Sequence, residues 1–221
     1  MTEVPGERPR AGVVTRLVAQ KKDANRVSVY LDGTFAFGVH ADVVVAFGLA
    51  KGQHLTEAAC ARMLAADAVY RARTAALAYL AHRPRTEAEV RRKLAEKGFD
   101  AAVVEDVVAR LHDLGYLDDA AYARSYVQAR FSSRGYGPQR LRAELRRRGV
   151  DPAHAQAALD DLLDDDAVLE EARRHARRRW EQLAGEADHR RKRKKLSDYL
   201  VRRGFSYDTV RRVVEELERA G

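Results

Sequence analysis

Six cations in a row, Arg190, Arg191, Lys192, Arg193, Lys194 and Lys195, are the residues of this 221-residue chain whose type and spacing most directly imply chemistry. Packed side by side they repel one another, and the crowding is relieved when a polyanion approaches and releases its counterions. Other basic groups punctuate the chain: Arg91, Arg92 and Lys93, then Arg140, Arg142, Arg146, Arg147 and Arg148, then Arg202 and Arg203. A further cluster, Arg173, Arg174, Arg177, Arg178 and Arg179, stands beside Trp180. Taken singly, each arginine reads first as part of a solvated helix face, ion-paired to Glu105, Asp106, Asp160, Asp161, Glu215 or Glu216. The run at 190–195 reads as a binding element for nucleic acid or an acidic protein groove.

The charge distribution supports that emphasis. Residues 167–221 carry 16 basic against 10 acidic side chains and so hold most of the chain's net +8. Constellations for catalysis are missing: no phosphate loop, no glycine-rich nucleotide turn, no paired cysteines, and no histidine with a metal-ligand partner at a suitable spacing. No catalytic, cofactor-binding or metal-ligating residue is therefore expected, and the acidic group at Asp160, Asp161, Asp164, Asp165 and Asp166 reads as a solvated helix end. The single cysteine, Cys60, reads as a buried structural thiol in a reducing cytoplasm. No apolar stretch is long enough for a bilayer, and residues 1–10 read as a disordered tail unlike a signal peptide.

The elements that must position these residues follow from periodicity. In residues 11–55, Val13 to Gln20 and Arg26 to Leu31 are rich in β-branched residues, and Asp32-Gly33 marks a tight hairpin before Thr34 to Val39, which together predict a small three-stranded antiparallel sheet. A short helix from Asp42 to Phe47 ends at Gly48. Thr56 caps a long alanine-dense helix running to about Ala81, of which residues 56–69 connect to the part beyond. Pro84 interrupts, and Thr86 with Glu89 has the spacing of a capping box.

One phrase then recurs three times: Leu94 to Gly98 and Phe99, Leu145 to Gly149 and Val150, Leu200 to Gly204 and Phe205. A glycine in left-handed conformation just past a helix, with the leucine and the following apolar residue touching, is a Schellman stop. Asp100, Asp151 and Ser206 then cap the next helices, and Pro152 takes a first-turn position. Those helices carry apolar faces at Val104, Val107, Val108 and Leu111, at Ala155, Ala158, Leu159 and Leu162, and at Val210, Val213, Val214 and Leu217. Leu111 to Tyr116 repeats the stop before Asp118 or Asp119. The fold class is therefore mainly α, with three tandem three-helix repeats at 70–118, 119–166 and 167–221 forming an elongated array behind the β-rich part. Trp180, on a stripe with Leu169, Ala172, Ala176 and Leu183, reads as core, as do Tyr122, Tyr126 and Phe131. Tyr136 reads as an exposed contact.

These residues resemble a known family. Leu77 to Phe99, Leu111 to Ala123, Gly137 to Gly149 and Leu200 to Phe205 are similar, at linked spacings, to the bacterial RecX regulatory proteins, and the hairpin at Tyr30 to Gly33 resembles the extra N-terminal part of some members. The resemblance implies tandem three-helix repeats that bind in the groove of the RecA recombinase filament and restrain ATP hydrolysis, strand exchange and the SOS response. It implies a non-enzymatic modulator; with the composition, the expectation is a cytoplasmic monomer without membrane contact. Some members also bind single- or double-stranded DNA directly, so a basic repeat protein acting on DNA alone is the alternative. The connection from Leu183 to Lys195 is more basic than the family's pattern. The resemblance carries over no catalytic residue.

Overall fold

A computed structural model of the chain describes residues 10–21 and 23–220, so the expected tail at 1–10 lies outside the described residues except for Arg10. Two compact units are formed, one from residues 1–83 and 90–116, the other from residues 84–89 and 117–221.

In the first unit, strands β1 (Gly12–Gln20), β2 (Asp23–Leu31) and β3 (Thr34–His40) form the expected meander. Asp32 and Gly33 both have positive φ, 48° and 81°, as a type I′ hairpin requires. The short helix α1 (Ala41–Ala46) follows. The sheet gains a fourth strand that the sequence does not announce: β4 (His54–Leu55) pairs antiparallel with β1, giving the order β3-β2-β1-β4. Two residues are too few to show an alternating pattern, and the pairing is set by tertiary closure.

Helix α2 (Glu57–Leu80) covers one face of the sheet, with Cys60 and Met63 among Val14, Val29, Leu31, Phe37 and Val39. Thr56 caps it by accepting from Ala59 N at 3.1 Å. Asp67 is buried against the sheet and fully used: it receives Arg26 through both carboxylate oxygens and the amide of His40 at 2.8 Å. The connecting segment at 56–69 is thus the first half of one unbroken helix. Helices α3 (Glu87–Glu96) and α4 (Ala101–Asp113) complete the first repeat, whose buried side chains include Ala72, Ala76, Leu94, Val107 and Leu111.

The second unit holds α5 (Asp119–Arg134), α6 (Pro138–Arg147), α7 (Pro152–Leu162), α8 (Asp165–Gln182), α9 (His189–Arg203) and α10 (Tyr207–Ala220). One core gathers Ala123, Val127, Leu141, Leu145, Ala155 and Leu159, the other Ala172, Ala176, Leu196, Leu200, Phe205 and Val213. Leu162, expected on a buried face, is 39% exposed, because α7 ends there and the extended Leu163 turns into both cores instead. Trp180 is half-buried against the last core.

The recurring phrase folds as a helix stop each time. Phe99, Val150 and Phe205 donate their amides to the carbonyls of Leu94, Leu145 and Leu200 at 3.3, 3.2 and 3.2 Å, while Gly98, Gly149 and Gly204 bond one turn inside with φ of 82°, 79° and 94°. Tyr116 closes on Leu111 in the same way at 2.9 Å. The capping box forms, with Glu89 N on Thr86 Oγ1 at 3.1 Å and Thr86 N on Glu89 Oε2 at 3.3 Å. Asp151 and Ser206 cap through their side chains. Asp100 occupies the N-cap position with extended backbone but makes no side-chain cap bond.

Two of these stops serve a second purpose within the second unit. Gly137 and Gln139, at the start of α6, donate their amides to the carbonyls of Arg203 and Gly204 at 2.9 and 3.0 Å. Thr86, at the start of α3, donates its hydroxyl to the Arg148 carbonyl at 2.6 Å, and Ala88 lies against Gly149. The open amide end of α6 therefore satisfies the open carbonyl end of α9, so that the two helix termini meet with opposite partial charges.

Candidate polyanion-binding cleft

The joint between α6 and α9 places basic side chains from three helices on one surface. On α5, Tyr126, Arg130 and Arg134 recur every four residues and share a helical face. On α6, Arg140, Glu144, Arg147 and Arg148 share another. With Tyr136 they line a cleft of about 410 Å³. A second hollow of about 380 Å³, lined by Gln139, Arg140, Arg147, Val201, Arg202 and Gly204, shares two of its arginines.

Inside the first cleft, five guanidinium groups meet one carboxylate. The Arg140 guanidinium lies 3.7 Å over the Tyr136 ring, and Arg148 and Arg130 lie 4.9 and 5.4 Å from the centre of Tyr126. Planar cations held on aromatic faces keep their charge while losing rotational freedom, which suits them to receive an anion. Glu144 is the internal counterweight. Tyr126 donates its hydroxyl to Glu144, Arg140 Nε lies 3.1 Å away and Arg147 3.9 Å. Partial burial pushes that carboxyl up, but the hydrogen bonds from Tyr126 and Arg140 outweigh it and hold it below the usual range, so it is ionised at neutral pH. Arg148 is also paired with Glu89, so five cations stand against two carboxylates and the balance in this concave, partly walled space stays positive.

Tyr136 is therefore not the exposed contact that its loop position suggests: it is 8% exposed and roofed by Arg140. Tyr126 packs on the core edge, as expected, while its hydroxyl reaches the cleft. Arg130 and Arg134 are the cleft residues that sequence reasoning missed. They form no run, and the only signal was their four-residue spacing from Tyr126.

The expected site residues distribute unevenly. Arg140, Arg147 and Arg148 line the cleft, with Arg148 also paired to the buried Glu89 at 3.2 Å. Arg202 lines the adjoining hollow, and Arg203 donates to the Arg134 carbonyl at 2.6 Å. Arg142 is turned away to Gln156 on α7, at 2.7 Å, and Arg146 is exposed. Arg91 and Lys93 are paired with Glu105 and Glu96, and Arg92 is exposed on the part of α3 that belongs to the first unit.

Arg190 to Lys195 spiral around the first turns of α9 and make no single patch. Arg191 pairs with Asp188, Arg193 with Glu218 and Lys195 with Glu186, while the Lys192 ammonium sits 3.9 Å over Trp180. Arg190 and Lys194, one turn apart and exposed, have no ion-pair partner among the described residues. The neighbouring cluster on α8 is partly consumed as well. Arg173 grips Glu216 at 2.7 and 2.8 Å, and Arg174 reaches Glu171.

The described residues contain no group of three His, Cys, Asp or Glu placed to hold a metal ion. The acidic stretch is used locally: Asp164 caps α8, with Asp165 and Asp166 in its first turn. No helix among the described residues is long and apolar enough to cross a membrane.

Comparison with known proteins covers nearly the whole chain. Models of the RecX N-terminal domain and of the first, second and third RecX three-helix domains match residues 12–56, 72–111, 118–159 and 165–214. The regulatory protein RecX of Leuconostoc citreum is 34% identical over 210 residues, 92% of this chain and 76% of the relative, and that of Bacillus subtilis 32% over 214 residues, 93% and 77%. A crystal structure of regulatory protein RecX superposes with a TM-score of 0.75 at 30% identity, covering 92% of this chain and 98% of the other. RecX from Lactobacillus salivarius superposes with a TM-score of 0.64 at 29% identity, over 69% and 98%.

Proposed function

This chain belongs to the RecX family of regulatory proteins, which is not an enzyme family, and from that premise we propose that it binds the RecA nucleoprotein filament and restrains its ATP hydrolysis and strand exchange. The observation that carries the reading is the arginine cleft of the second unit. It is concave, its five cations outnumber the two carboxylates, Glu144 and Glu89, that pair with them, and it continues toward Arg202, so it suits a repetitive anionic surface better than a small substrate. A nucleoprotein filament presents such a surface through phosphates and acidic protein side chains. The regulator acts in the cytoplasm, as a monomer, through occupancy of the filament and not through turnover.

The test is RecA-dependent ATP hydrolysis on single-stranded DNA. Substoichiometric protein slows it; unchanged hydrolysis with no filament association at saturating protein sinks the reading.

The cleft also favours a second reading, direct binding to naked DNA, because its arginines need only phosphate to be satisfied. Steeply salt-dependent binding to naked DNA that equals filament binding in strength would favour it over the first.

A further inference from the structure

The sheet of the first unit has two faces of different chemistry. One is covered by α2. On the other, the register sets Arg16 of β1 opposite Tyr30 of β2, Val18 opposite Ser28, and Tyr30 opposite Phe35 of β3. Phe35 is 43% exposed and Val18 40%. The Arg16 guanidinium lies 4.0 Å over the Tyr30 ring, and Tyr30 meets Phe35 edge-on with centroids 5.9 Å apart. Ser28 pairs with Gly38, which raises no side chain above the sheet, and Gln20 bonds across to Ser28 at 3.3 Å. This row contains planar and small polar groups, a single aliphatic side chain and no carboxylate.

We propose that this face is a stacking platform for single-stranded nucleic acid. Phe35 takes one base on its open ring, and Arg16, already held flat by Tyr30, presents its cation to the neighbouring nucleotide. Strands about 4.8 Å apart put Arg16 and Phe35 roughly 10 Å from each other across the row, room for two successive nucleotides. An aromatic ring with an adjacent guanidinium is the chemistry by which open sheets hold unpaired bases, and it is sequence-tolerant because every base has a π-face. A protein partner would look instead for a continuous aliphatic patch, and beside its planar groups this row offers only Val18. Bases in a duplex are already stacked, so the platform discriminates against double strands. The proposal goes beyond filament regulation and does not depend on it.

The experiment uses the full chain and a short single-stranded oligonucleotide carrying 2-aminopurine, whose fluorescence reports stacking. Phe35→Ala is expected to weaken binding about tenfold and to abolish the fluorescence change. Phe35→Leu, which keeps apolar bulk without the ring, should lose both as well, and Arg16→Gln should weaken binding with the ring still stacked. The same sequence as a duplex should bind Phe35→Ala and the parent chain equally. Unchanged affinity for the oligonucleotide in Phe35→Ala, full retention in Phe35→Leu, or an equal loss on the duplex overturns the proposal. RecA-dependent ATP hydrolysis measured on the same variants separates the two readings. Inhibition lost with oligonucleotide binding intact assigns the face to a protein partner and overturns it, whereas a parent chain that never inhibits but still stacks the base defeats only the filament reading.

Discussion

The main chain of Gly137 lies directly against that of Gly204. The Gly137 amide donates to the Arg203 carbonyl at 2.9 Å, and a methyl group on either glycine would overlap backbone of the other helix. Each stop is a point of helix termination, but only some are also points of assembly.

That distinction can be measured. Gly98 has left-handed φ and open space around it, so Gly98→Ala should cost about 1 kcal/mol, the conformational penalty alone. Gly204→Ala carries the same penalty and also drives its methyl into the main chain of Arg140, adding roughly 1–3 kcal/mol of overpacking. Urea unfolding of the two variants should rank them in that order, and equal losses would show that the joint yields without strain.

For the cleft, Arg130→Gln and Arg147→Gln should each lower the slope of log affinity against log salt by about 0.7 on single-stranded DNA, one phosphate contact apiece. Arg142→Gln, whose guanidinium is committed to Gln156, should leave that slope alone. A uniform effect of all three would mean that net charge, not the cleft, governs binding.

Acid stability should report the Arg173–Glu216 pair. Hydrogen bonds from Arg173 depress the Glu216 carboxyl from 4.5 to about 2. A depressed carboxyl contributes stability that is fully present above its unfolded pKa and is lost as pH falls through the folded value, so the pair's contribution should fade between pH 4.5 and 2. Both partners are partly open to solvent, so salt should shrink the effect. Arg173→Gln should flatten this part of the stability profile; an unchanged profile would refute the assignment.

A second window belongs to His175, buried between α8 and α9. Burial, then the nearby Arg203, lower its pKa, opposed by Glu171 and reinforced by Arg174 and Arg178. Its Nδ1 lies 3.2 Å from the Tyr199 hydroxyl, while Nε2, 3.1 Å from Glu171, is out of line for a hydrogen bond. A depressed histidine is folded in its neutral form, so stability should fall as pH drops below its ordinary value of 6.5. His175→Gln should remove that loss, as followed by thermal unfolding at several pH values.

Much of the fold could be read in advance because its signals are local. Gly98, Gly149 and Gly204 sit where the left-handed turn needs them, and Asp32-Gly33 adopts the paired positive φ that its composition suggests. What stayed hidden was tertiary. The β4 pairing and the outward turn of Leu162 depend on closure of the chain, and the burial of Tyr136 depends on Arg140 arriving from the next helix. The candidate site was half legible. Runs of arginine draw the eye, yet a run on a helix is dealt around the axis, as Arg190 to Lys195 are, whereas Arg130 and Arg134 converge with Arg147 because their spacing matches the turn.

The helix-end joints are made mainly by peptide groups, glycines and one threonine hydroxyl, and of the flanking arginines Arg140, Arg148 and Arg203 also bond across them. Assembly and recognition are thereby partly uncoupled. Arginines that make no bond across a joint, such as Arg147 and Arg202, can drift, and with them the preferred partner, without disturbing how one repeat seats on the next. Chimeras that exchange Arg147 and Arg202 between relatives should keep their fold and trade their affinities.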